Sequence, residues 1–324
     1  MTRKTPIQPE FLDALLRERI HDESLRGNIR RATQTSLNKR RAVVSDYEDW
    51  DTLRQLAHDV KSHVMDHLPV YIARFAQRAR EAGAVVHYAS TAEEASRIVC
   101  DLAEETGEPL VVKSKSMTTE EIELTPALER RGLRTVETDL GEYIVQLAKE
   151  PPSHITAPAL HKSRGEIGAL FAEKLGIPYT DDPQELTDIA RKILREDFLE
   201  AGVGISGVNF AVAETGTICV VENEGNARLS MSLPKRHIAV MGMEKLLPDY
   251  SSLALFLNLL GRSATGQRLT CYTSLITGPR RGKECDGPDD LHIVILDNGR
   301  SRMLQDDRLR EALYCIRCGA CMNV

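Results

Sequence analysis

Aromatic side chains are scarce: one tryptophan, eight tyrosines and six phenylalanines in 324 residues. That shortage argues against an all-β core, whose strands favour aromatics, and for an aliphatic α/β interior. Charge of one sign is lacking as well, with 42 basic against 48 acidic side chains and a net charge of −6. A general nucleic-acid binder held by phosphate attraction is thereby excluded. No apolar run reaches the roughly 18 residues that a membrane-spanning helix needs. The opening MTRKTPIQPEFLDALL has no apolar stretch bounded by small residues, so no secretory signal is expected. Neither a G-x-S-x-G elbow nor an H-E-x-x-H pair occurs, which removes two common hydrolase classes. Seven cysteines, an odd number, do not close a disulfide framework.

What is present is a chain of about two domains' length at roughly 150 residues each. Its 42% apolar content is ample for a large core. Residues 1–82 read as a helical region. Leu53, Leu56, Ala57, Val60 and Val64 make one apolar stripe, and Ile72, Phe75, Ala76 and Ala79 make another before Gly83. The basic residues Arg26, Arg30, Arg31, Lys39, Arg40 and Arg41 fit a solvated helix face. From residue 83 to 299 short strands alternate with helices, the signature of crossover units. The strand segments are AVVHY, PLVVK, LRTVET, VNFAVA, TICVV, HIAVM, RLTCYTS and LHIVIL. Thr91 with Glu94 and Ser163 with Glu166 mark helix starts, as do Asp182 and Pro183, while Gly176 and Gly202 mark ends. The fold class is therefore α/β, a helical N-terminal region followed by a mostly parallel sheet with flanking helices. The last stretch, 300–324, turns polar and ends in cysteines.

Several tempting motifs fail on context. GVGISG (202–207) spells G-x-G-x-x-G, but a helix precedes it and a strand follows, the reverse of a dinucleotide fingerprint. It reads as a flexible turn. GPRRGKE (278–284) lacks phosphate-loop spacing, and Pro158 separates His154 from His161, which removes a helical metal pair. Cys100, Cys219, Cys271 and Cys285 read as ordinary thiols.

The chain ends in CIRCGACMNV, placing Cys315, Cys318 and Cys321 at a strict three-residue spacing. Ferredoxin-type clusters use C-x2-C-x2-C-x3-C, and Gly319 and Ala320 leave room for amides to approach sulfide. A zinc site, with a second pair or a histidine, and three unconnected thiols are the alternatives. The fourth cysteine of the pattern would fall at position 325, one past Val324, so the chain is expected to be the front of a longer one.

KSKSMTTEEIEL (113–124), ETDLGEYIVQL (137–147), PSHITAPALH (152–161), NFAVAETGT (209–217), NEGNARL (223–229), LPKRHIAVMGMEK (233–245), DNGRS (297–301) and CIRCGACMNV occur in that order. Together they resemble the lactate utilization protein B family, iron–sulfur subunits of a bacterial L-lactate oxidation system. The resemblance implies a lactate-utilization domain over 83–299, similar to the sugar-phosphate isomerase and CoA-transferase-like fold, and the start of a ferredoxin-like domain over 300–324. It also implies two 4Fe-4S clusters in the full-length protein, with none assembled in a chain stopping at Val324. Two partners are implied, one cysteine-rich and one with a related lactate-utilization domain, working in the cytoplasm without nucleic acid or a membrane span.

Candidate site residues come from the chemistry. Lys113, Ser114, Lys115 and Ser116 follow an apolar strand, where open α/β sheets bind ligands, and suit a carboxylate or phosphate. Glu214, followed by Thr215, Gly216 and Thr217, is the candidate catalytic carboxylate, because CoA-transferases of the suspected fold use a glutamate nucleophile. Asn223 and Asn226 flank a turn with Glu224 and Gly225 that would add amides to the same pocket. Glu142, a further substrate-binding candidate, and His237 are weaker candidates, and the sequence selects none of these groups as the proton acceptor that lactate oxidation needs. Three functions follow: an electron-transfer subunit whose α/β domain binds an organic acid or docks partners, a stand-alone enzyme acting on a sugar phosphate or acyl thioester, and a scaffold.

Overall fold

A computed structural model describes residues 20–323. The expected helical structure over 1–19 lies outside the described residues, as does Val324. Among the described residues ten strands form two sheets. They are β1 (Val85–Ala89), β2 (Leu110–Lys113), β3 (Arg134–Glu137), β4 (Val203–Gly207), β5 (Phe210–Val212), β6 (Thr217–Glu222), β7 (Arg236–Gly242), β8 (Leu246–Leu247), β9 (Tyr272–Ile276) and β10 (Asp290–Leu296). The larger sheet has the order β1-β10-β7-β4-β2-β3, and every pairing in it is parallel. Its inner strands β10, β7, β4 and β2 are buried on both faces, as a sheet covered on both sides by crossover helices requires. The smaller sheet, β8-β5-β6-β9, is mixed: β6 runs antiparallel to β5 and β9, while β8 is parallel to β5. The strand-rich stretch that follows residue 203 is thus shared between two sheets.

Alternation along the strands sorts the core into layers. In β10, Leu291, Ile293 and Ile295 face a cluster with Val64, Met65, Phe75 and Ala79. Val294 and Leu296 face Val99, Leu124 and Leu128 on the other side. Leu110, Val112 and Val136 meet helices Leu140–Ala148, Arg164–Leu175 and Pro183–Glu200 through Tyr143, Phe171, Leu194 and Phe198. The smaller sheet packs Phe210, Val212 and Cys219 on Phe256 and Leu260 of helix Tyr250–Thr265. Ile316 and Cys318 rest against that cluster.

Local signals set the helix ends. Ser163 and Glu166 form a reciprocal capping box, and Gly176 closes that helix in the left-handed conformation. Asp182 caps the next helix with Pro183 in its first turn. Thr91 caps helix Ala92–Glu104, although Glu94 accepts from Ser90 rather than from Thr91. The stripe on helix Trp50–Asp66 is rotated from its expected register: Leu56 is exposed, and Lys61 is buried beside Ala57 and Val64. The basic residues 26–41 lie on helix Glu23–Val44, mostly exposed.

GVGISG is corrected by the structure. It contains strand β4, between β7 and β2 in the larger sheet, and is no turn. Its glycines serve close packing: a Cβ at Gly204 would collide with the Ser230 carbonyl, and one at Gly207 would press into the Ser116 side chain. Spacing of glycines cannot distinguish a phosphate loop from a strand crossed closely by its neighbours. Among the described residues no helix is long and apolar enough to cross a membrane.

Candidate functional site

The carboxyl ends of β2, β3, β4 and β7 open toward one side of the larger sheet, and the chain leaving them builds a cavity of about 260 Å³. Ser114, Lys115 and Ser116 after β2 line it, with Asp139 after β3, Val208 and Asn209 after β4, and Lys245 after β7. Asn223, Glu224 and Asn226 after β6 complete that side, and the opposite wall includes Ile316 and Arg317 from the cysteine segment. Ligands of open α/β sheets bind at this end because side chains from several loops converge there.

The β2 exit is held rigidly. The Ser114 N–H donates to the Ile205 carbonyl at 2.9 Å, and the Thr138 N–H and hydroxyl both donate to the Lys113 carbonyl at 3.0 and 3.1 Å. Thr138 also accepts from Asn226 at 3.2 Å and contacts the Ser230 hydroxyl at 3.2 Å. Ser116 accepts from the Thr119 N–H, which commits its hydroxyl to a helix cap. Asn223 bridges Gln267 and the Cys271 N–H, so both ends of its amide carry structure.

The two lysines expected to act together are separated by the end of β2, which keeps Lys113 in the sheet and leaves Lys115 in the loop beyond it. Lys113 is fully buried and pairs with Glu137 at 2.9 Å, its register partner on β3. It does not line the cavity. Lys115, two residues on and outside the strand, does line it, with its ammonium nitrogen 3.8 Å from Glu142. Neither that nitrogen nor the facing Glu142 oxygen has a hydrogen-bond partner. Glu142 sits behind the cavity wall on helix Leu140–Ala148. Burial, reinforced by the carboxylates of Glu120 and Glu137, pushes its carboxyl up to about 8. Burial lowers the Lys115 amine against the pull of Asp139 and Glu142. Glu224, which accepts from the Leu140 N–H at 3.1 Å, is pushed up to about 7 by burial and by Asp139.

Glu214 is not part of this site. It is exposed in the β5–β6 turn, at the end of that hairpin opposite the cavity-lining residues Val220 and Val221. Thr215 donates to Thr217, whose hydroxyl also meets Tyr250 at 3.0 Å and Thr277 at 2.6 Å. Gly216 adopts a positive φ of 72° against the backbone of Arg78 and Ala79, where any side chain would collide. These four residues form a turn docked on a helix. His237 lies in β7 away from the cavity, bonded to Ser206 at 2.8 Å, and burial pushes its imidazole down to about 3.

Two cations lining the cavity were not singled out from sequence, Lys245 and Arg317. Lys245 is buried 3.9 Å from Glu244. Glu244 binds Arg300 at 2.5 Å, and Arg317 lies 3.7 Å from Glu244 and 3.5 Å from Glu121. Lys61 donates to the Glu244 carbonyl from the helical side. The signal for Lys245 was its place just after an apolar parallel strand, HIAVMG, as for Lys115. Arg317 carried no such signal because its loop lies far from the sheet in sequence.

The cysteine segment turns twice, with left-handed Arg317 at φ 57° and Gly319 at φ 73°. The Arg317 N–H donates to Cys315 Sγ at 3.3 Å, the kind of amide contact that stabilises cluster thiolates. Cys315 and Cys321 are exposed, and Cys318 is partly buried, its thiol raised by burial. The backbone thus suits a cluster, but no three His, Cys, Asp or Glu side chains among the described residues converge on one metal position. The fit is incomplete in these side chains, and no chemical step is assigned to the cysteines.

Similarity to known proteins places this architecture. Lactate utilization protein B of Bacillus thuringiensis is 45% identical over 305 residues, as is that of Bacillus cereus. The matches cover 94% of this chain, and the chain spans 64% of those relatives' length. A crystal structure of a DUF162 family protein from Deinococcus radiodurans aligns with a TM-score of 0.39 at 13% identity, over 71% of this chain and 98% of that one. The LUD domain matches residues 72–296, the span that holds both sheets and the loops at their carboxyl ends. The chain belongs to the LUD domain family.

Proposed function

We propose that this chain is the lactate-utilization part of an iron–sulfur electron-transfer subunit working in the oxidation of L-lactate to pyruvate, and that its cavity binds a small organic acid. The observation that carries this reading is a shared wall: Arg317, between Cys315 and Cys318, lines the same cavity as Lys115. An acid held there by Lys115, Lys245 and Arg317 would lie against the cysteine segment. The names of the Bacillus relatives support the lactate role. The three-residue spacing supports the cluster: drawn together, Cys315, Cys318 and Cys321 would supply three thiolate ligands of a 4Fe-4S cluster, the group that would carry the electron. The partners are two further lactate-utilization proteins, one cysteine-rich. The stand-alone transferase reading loses its nucleophile with Glu214 outside the cavity.

Two measurements test this. Calorimetric titration with L-lactate and pyruvate should show binding that Lys115→Ala abolishes; equal binding by the variant refutes the cavity assignment. Anaerobic reconstitution with iron and sulfide, at the full length of the relatives, should give a brown protein that the lactate system reduces. A colourless product, or one unchanged in iron content by Cys318→Ser, refutes the electron-transfer role.

A further inference from the structure

Among the described residues, Lys115 Nζ is the buried lysine nitrogen that finds no hydrogen-bond acceptor. Lys113 is held by Glu137 at 2.9 Å and Lys61 by the Glu244 carbonyl, while Lys245, 3.9 Å from one Glu244 oxygen, shares a carboxylate that Arg300 already binds. An amine left unpartnered at the mouth of a parallel sheet, 3.8 Å from a carboxyl oxygen equally without a partner, is arranged for reaction more than for an ion pair. Resting on the acid-binding reading of the same cavity, we propose that Lys115 captures a 2-oxo acid reversibly as an imine, with Glu142 as the proton donor.

The step balances without an oxidant. The neutral Lys115 amine adds to the C2 carbonyl carbon while the Glu142 carboxyl gives its proton to the carbonyl oxygen. The nitrogen then returns a proton to Glu142, which passes it to the hydroxyl. The C–O bond breaks, water leaves, and the C=N bond forms. The product is an iminium facing the Glu142 carboxylate. Burial favours the starting pair, since it lowers the amine and raises the acid. Lys245 and Arg317 supply positive charge for the substrate carboxylate, and these two cations select a 2-oxo acid over a simple ketone. The volume of about 260 Å³ suits an acid of few carbons. Glu224 and Asp139, which line the same cavity, disfavour a polyanionic phosphate ester.

The test is reductive trapping. The chain is incubated with pyruvate and cyanoborohydride, and the adduct is located by peptide mass spectrometry, with acetone as the carboxylate-free comparator. One reduced adduct at Lys115 is expected, absent in Lys115→Arg and formed about a hundredfold more slowly in Glu142→Gln. Circular dichroism establishes that both variants fold. Pyruvate binding by calorimetry without an adduct at Lys115 overturns the capture step and leaves acid binding standing. Absence of binding overturns both. Acetone trapped at Lys115 as readily as pyruvate overturns the part assigned to Lys245 and Arg317.

Discussion

Replacing Glu142 by Gln should stabilise the protein at neutral pH while leaving its acid stability nearly unchanged. Glutamine has the shape of the protonated acid, which is the form that burial imposes. The carboxyl titrates at about 8 in the fold against an ordinary 4.5. A raised acid contributes most favourably below pH 4.5, and that contribution is lost as pH rises through about 8, because the unfolded chain ionises first. Between those limits each pH unit costs about 1.4 kcal/mol. Over the 2.5 units from pH 4.5 to 7 the upper bound is therefore about 3 kcal/mol. Glu142 is almost fully enclosed, yet Lys115 beside it reaches the cavity, so screening cuts this to between about 1.5 and 3 kcal/mol. Urea unfolding of both proteins at pH 5, 6, 7 and 8 should give stability curves that diverge with pH, the variant lying higher at pH 7. Parallel curves would refute the argument that burial and Glu120 keep this carboxyl protonated.

Lys113→Met should cost about 3–5 kcal/mol by leaving Glu137 charged and buried without its partner, and Lys113→Met combined with Glu137→Leu should recover much of it in the same urea assay. Gly204→Ala should cost at least about 2 kcal/mol, since the new methyl meets the Ser230 carbonyl in a sheet interior; a neutral effect on the unfolding midpoint would contradict the β4 packing. Glu214→Gln should leave calorimetric binding of small acids unaltered, because that residue is exposed in the β5–β6 turn; weakened binding would return it to the site.

Much of the architecture is legible in the chain itself, because its determinants are local. Capping by Ser163 with Glu166, the left-handed stop at Gly176 and the apolar runs that became β2, β7 and β10 depend on dihedral preference and spacing within a few residues. Those patterns were enough for an α/β sheet with crossover helices and for the expectation that the residues after β2 would face a ligand. The cysteine spacing is equally a property of the sequence, as is the odd count.

Tertiary structure decided what each charged group faces. Strand order sets Glu137 opposite Lys113 and removes that lysine from the cavity, although in sequence it looks equivalent to Lys115. The β5–β6 hairpin carries Glu214 to one end and Asn223 to the other, so residues nine apart in sequence do not share a pocket. GVGISG became a strand by pairing with β2 and β7, and Gly204 and Gly207 are glycines there because Ser230 and Ser116 approach closer than any side chain permits. Lys245 and Arg317 joined Lys115 from 130 and 202 residues away. Local spacing encodes backbone conformation, whereas electrostatic partnership falls off within ångströms and is fixed only when distant segments are packed.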